Sequence, residues 1–236
     1  MPQQDMFFAV PEVKLPGNPP MSEAVLRETL KTEKIPEFMF RLNQIHIGRT
    51  RSPQTDTDTI AFTAKFGNEA PHTVTRSIGD VGTGNHQVDL VLGPFQPSQL
   101  SAPVVMGLQI FNKAGGDARL EDFLIQAGID LVETALNEGG PWGQLASTLI
   151  NLGDRLFPGL IHPGACDGYV AVGGSNWSSA EYLLRISQNV GGGWGFDSTF
   201  QGPDSMPGCG RNAIYTVNFG IVTKLKRVTE GSGHPD

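Results

Sequence analysis

Charge is scarce in this chain, and none of it gathers into a footprint. Lys and Arg number 17 and Asp and Glu 24, together 17% of the 236 residues, with a net charge of −7. That share is below the usual quarter. A nucleic-acid binder or an anionic-membrane binder needs a basic face, and none is present, so no nucleic-acid partner is expected. The one basic group, Lys224, Lys226 and Arg227, reads as a solubilising strand end. No run approaches the ~18 apolar residues of a membrane span. The opening residues, MPQQDMFFAVPEVKLP, lack the basic start, apolar stretch and small-residue cleavage site of an export signal. A cytoplasmic location, or export by a non-standard route, is the expectation.

Catalytic signatures are missing as well. The chain holds no G-x-S-x-G, H-E-x-x-H, G-x-x-x-x-G-K-[ST] or C-x-x-C. His162 lies near Cys166 in His-Pro-Gly-Ala-Cys, but a Cys–His catalytic pair meets in space and not along the chain. With Cys209 the same residues offer zinc only three of its usual four ligands. No catalytic residue is assigned.

What the chain does have is 30 glycines and 17 prolines without a triplet period, the mark of a loop-rich β protein. Residues 1–36 read as a Pro-rich arm followed by a short helix, roughly Met21 to Lys34, stopped before Pro36. From Phe38 the apolar period is two. Phe38, Phe40 and Leu42 alternate with Met39, Arg41 and Asn43, and Ile60, Phe62, Ala64 and Phe66 with Ala61, Thr63 and Lys65; short runs follow around Val74, Val88 and Val104. The period then becomes 3.6 through Leu120, Phe123, Leu124, Ala127 and Leu131. After Gly139-Gly140-Pro141 a second helix carries Leu145, Leu149, Leu152 and Leu156. Strand patterns resume at Tyr169–Val172, Tyr182–Ile186 and Ala213–Val222, while Gly191–Gly195 reads as a mobile loop.

The expected fold is all-β with a helical insert: an antiparallel two-sheet sandwich, jelly-roll-like, over residues 37–236. It carries an αα-hairpin at about 117–157, between the fifth and sixth strands. The hairpin's apolar faces suit a sheet face, and acidic residues including Glu121, Asp122, Asp130, Glu133 and Glu138 speak against insertion into anionic lipid.

Three sets of residues invite a functional reading. Cys166 and Cys209 each precede a strand, so neighbouring strands would bring them within disulfide range; two buried free thiols are the other reading. Trp177, Trp194 and Phe196 lie among Gly, Ser and Asn, where aromatics stack on sugars or enter a partner's pocket, or else cap the sandwich end. Asp56, Asp58 and Asp80 converge at one end if their strands form a hairpin. They would then offer calcium its oxygen ligands, the alternative being ordinary turn-forming aspartates. The leading function is a non-enzymatic structural or surface-binding protein that self-assembles into a homo-oligomer or larger assembly, its arm reaching a neighbour, with a carbohydrate or protein surface as further partner. A membrane-acting, toxin-like protein using the helical hairpin and a hydrolase with an unrecognised site are the alternatives.

Overall fold

The computed structural model describes residues 34–113, 118–138, 166–189, 192–202 and 212–227, with single positions at 22, 24, 25, 28 and 209. Eight strands are described: β1 (Lys34–Arg49), β2 (Asp56–Phe66), β3 (His72–Val81), β4 (Gly84–Phe95), β5 (Val104–Asn112), β6 (Gly168–Trp177), β7 (Gly193–Gln201) and β8 (Ile214–Arg227). They form two antiparallel sheets of four, ordered β4-β1-β8-β7 and β3-β2-β5-β6. Helix α1 (Ala118–Glu138) follows the fifth strand, and α2 (Ala180–Asn189) joins β6 to β7. The sandwich with a helical insert after the fifth strand is therefore the observed fold.

Period-two residues from both sheets fill the space between them. Phe40, Leu42, Phe62, Leu108, Ile110, Val217 and Phe219 are fully buried or within 1% of it. Burying such a side chain contributes roughly 1.5–3 kcal/mol, so this layer is the main reason the sheets stay together.

The outward residues decide what lies outside. On β2 and β5 these are Ala61, Thr63, Val105 and Gly107, small enough for a helix to settle on them. Leu120, Phe123, Leu124, Ala127, Leu131 and Val132 of α1 supply the apolar stripe, forming a second core with Ala61, Val105, Phe111 and Tyr169. Approach is close: a Cβ on Gly107 would stand 3.0 Å from Val132, and one on Gly128 would collide with Thr63 Oγ1.

Three readings are corrected. Tyr182–Ile186 is helix, not strand. Ser179 accepts a hydrogen bond from Tyr182 N, an N-terminal cap, and Ala180, Leu183, Leu184 and Ser187 are buried at helical spacing. Gly191–Gly195 is not a loop throughout, because β7 begins at Gly193 and inserts Phe196 and Phe200 into the core. The N-terminal helix does not reach Lys34, where β1 starts, although Ala24, Val25 and Glu28 are helical. The arm before residue 22 and the second insert helix, at 141–157, lie outside the described residues.

Candidate functional site

The two ends of the sandwich differ. One is aromatic: Phe38, Phe66 and Phe95 touch in succession, with ring centroids 5.4 and 5.3 Å apart, and Trp177 stacks on Phe40. The other is polar, where β1 and β5 end and β2, β6 and β8 begin.

At that polar end Asp56 holds the turn out of β1. Its carboxylate accepts from Arg51 N and Ser52 N, both at 2.7 Å, in the manner of an aspartate closing a turn. Arg51 turns its guanidinium inward, donating from Nε to the Cys166 carbonyl at 3.0 Å. Asn112 donates to the same carbonyl at 2.9 Å and accepts from Thr57 N at 2.7 Å. Lys113 and Asp167 form a buried ion pair at 3.1 Å. Burial lowers the Arg51 pKa while Asp56 and Asp167 oppose that shift.

Tyr215, on the opposite sheet, completes the group. Its Oη lies 2.8 Å from Asp56 Oδ2 and 2.7 Å from Asp58 Oδ2. Asp58 is fully buried, and among the described residues its Oδ1 has no hydrogen-bond partner. Burial, reinforced by the negative charge of Asp56 and opposed by the Tyr215 hydrogen bond, pushes the Asp58 carboxyl up to about 8. Burial and the two carboxylates push Tyr215 far above its ordinary value.

The three candidate calcium ligands do not converge. Asp80 pairs with Thr57, the residue between Asp56 and Asp58, and so takes the opposite face of the sheet, where it accepts from Thr57 Oγ1 at 2.5 Å. Among the described residues no group of three or more His, Cys, Asp or Glu is placed to hold a metal ion.

Cys166 and Cys209 are joined in a disulfide with Cα atoms 5.5 Å apart. As a disulfide Cys166 is no nucleophile, and His162 lies outside the described residues. The aromatic candidates stand on strands, not loops. Trp177 is buried at the end of β6, Trp194 packs against Phe196 at 5.1 Å, and Phe196 stacks on Phe219. They belong to the core and its margin.

Sequence reasoning passed over the outer face of the β4-β1-β8-β7 sheet. Antiparallel register lines its outward residues into rows that cross all four strands. One row is Asn85, His46, Thr216 and Thr199; the next is Gln87, Gln44, Asn218 and Asp197; the third is Val91, Arg41, Gly220 and Gly195. Side chains within these rows bond to one another: His46 with Asn85 at 2.8 Å, Thr216 with Thr199 at 2.9 Å, and Asn218 Nδ2 donating to Asp197 at 2.6 Å. Asn43, an extra residue in β1 relative to β8, donates to Asn218 at 2.9 Å. Asn85, His46, Gln87, Arg41, Asp197 and Thr199 are exposed. Helix α1 packs on the other sheet, so two unlike outer faces result. The signal was in the sequence as polar residues alternating with the core positions, but only strand register makes rows of them.

No protein-family model matches the chain, and no curated protein matches it.

Proposed function

We propose that the protein is a non-enzymatic surface-binding module that also assembles with itself, working through the outer face of the β4-β1-β8-β7 sheet. The two exposed polar rows, Asn85–His46–Thr216–Thr199 and Gln87–Gln44–Asn218–Asp197, carry this reading. An antiparallel sheet keeps one polar face to water as a matter of course. Here, however, the side chains are mostly short amides and hydroxyls instead of long charged residues. They already bond to one another, so less side-chain entropy is lost when a partner arrives. Amides and hydroxyls present donors and acceptors together, which suits a hydroxyl-rich partner such as a carbohydrate. The same property makes the face complementary to a second copy turned by a two-fold axis.

Among the described residues no helix is long and apolar enough to cross a membrane.

The test has two arms on one variant, Thr199→Lys with Thr216→Lys, which places two charges in the β8–β7 half of the first row without touching the core. Light scattering over a concentration series reads self-association, and co-sedimentation with insoluble polysaccharides reads surface binding. Wild-type association or binding that the variant loses supports the proposal. A wild-type monomer that binds none of the polysaccharides, or a variant that behaves as the wild type, removes it.

A further inference from the structure

We propose that a proton on Asp58 is the latch joining the two sheets at the polar end, closed while the proton is bound and released when it is lost. Tyr215 Oη stands within 2.8 Å of one carboxylate oxygen and 2.7 Å of another, yet a hydroxyl has one hydrogen to give. If it donates to Asp56, the contact with Asp58 needs a hydrogen from Asp58 itself. Asp56 already accepts from Arg51 N and Ser52 N, so it is the ionised partner. Among the described residues Asp58 has no donor other than the hydroxyl, and it is the protonated one. The chain of bonds then runs from Asp58 Oδ2–H to Tyr215 Oη, and from Tyr215 O–H to Asp56 Oδ2.

Charge agrees with that assignment. Among the described residues, Asp56 on its own strand and Tyr215 on β8 act on Asp58, and Arg51 in the β1–β2 turn, Lys113 after β5 and Asp167 before β6 are the other charged groups at this end. Asp80 faces the other side of the sheet. The charge that acts on Asp58 is that of Asp56, which opposes its ionisation.

Loss of the proton is a single step: the Oδ2–H bond breaks, the electron pair stays on the carboxylate and the proton leaves to solvent. Two buried anions then share one hydroxyl hydrogen, and Asp58 Oδ1 still has no donor. Relief comes from separating β2 from β8, which admits water to this end. With the Asp58 carboxyl held near 8, release falls in the mildly alkaline range.

Infrared titration of the full chain, disulfide intact, tests the proton directly. At about pH 6 ordinary carboxyls are ionised, so a protonated-carboxyl stretch there reports an abnormal acid. The expected result is one such band, lost with a midpoint near pH 8 and absent from Asp58→Asn. No band at that pH, or a band that persists in Asp58→Asn, overturns the proposal. If Asp58→Asn does not fold, the wild-type titration decides alone. The latch itself is read by hydrogen exchange at the Arg51 and Ser52 amides, corrected for the intrinsic rate. Their protection should fall by up to tenfold per pH unit between about pH 6 and 8 in the wild type, and stay level in Asp58→Asn. Equal losses in both proteins overturn the latch.

Discussion

Tyr215 and Asp58 belong to different sheets and meet at 2.7 Å, with neither residue exposed to solvent. The contact makes the polar end of the sandwich an inter-sheet joint held by hydrogen bonds, whereas the layer between the sheets is otherwise mainly apolar, with Ser175 and Ser198 among its buried polar residues.

Replacing Tyr215 by Phe keeps the ring and removes the hydroxyl. Asp56 retains its two backbone donors, but Asp58 loses its one partner. A buried polar group left unpaired costs about 1–3 kcal/mol. Urea denaturation should therefore show a lower midpoint with an unchanged slope; an unchanged midpoint would mean the joint contributes nothing.

The pH profile of stability follows from two carboxyls with opposite shifts. Asp58 is raised from 3.8 to about 8, so the folded state holds a proton that the unfolded state has lost between those values. Its contribution is complete at the acid end of that window, declines by about 1.4 kcal/mol per pH unit through it, and is gone above it. Glu37 is lowered by the hydrogen bond from Lys226, so its contribution is present at neutral pH and disappears as pH falls through its folded value. Thermal melts across this range should peak on the acid side of neutrality. Asp58→Asn should flatten the alkaline limb and Glu37→Gln the acid limb.

The disulfide closes a loop of 43 residues. Chain-entropy arguments put the stabilisation from a loop of that size at about 4 kcal/mol. Reduction should lower the denaturation midpoint, and peptide mapping without reductant should recover the two cysteine peptides linked. Two freely alkylatable thiols in the native protein would contradict the pairing.

Gly128→Ala offers a test in which two rules disagree. In an open helix the change stabilises by about 1 kcal/mol. Here the added Cβ would meet Thr63 Oγ1, which is buried and bonded to Thr73 Oγ1 at 2.9 Å. Overpacking of that kind costs about 1–3 kcal/mol, so the variant should melt below the wild type.

Calcium is expected to leave the melting temperature unchanged, with or without chelator, because Asp80 is turned away from Asp56 and Asp58. Asp80→Asn should be close to silent, since its hydrogen bond with Thr57 is on the exposed side of the sheet. Asp56→Asn should not be silent, because the turn out of β1 hangs on both of its oxygens. A calcium-dependent rise in melting temperature that Asp80→Asn abolishes would reverse this account.

The alternation of Ile60, Phe62, Ala64 and Phe66, and the helical spacing from Leu120 to Leu131, determined by themselves that strands and one long amphipathic helix would form, and in what order. Both patterns are local, and each fixes which face of its own element is buried. The same local reading failed at Tyr182–Ile186, where four apolar residues in five fit either period and the Ser179 cap decided for helix. It failed again at Gly193, where glycine's density masked the alternation of Trp194, Phe196 and Phe200. The disulfide was readable as one of two options, because whether two strand starts are neighbours depends on sheet order. Tertiary structure alone decided that Asp56 and Asp58 face Tyr215 while Asp80 does not, and that twelve outward residues align into three rows. The physical reason is that register and sheet pairing are set by contacts between residues far apart in the chain, 159 positions for Asp56 and Tyr215 and 175 for Asn43 and Asn218. No periodicity within a strand carries that information.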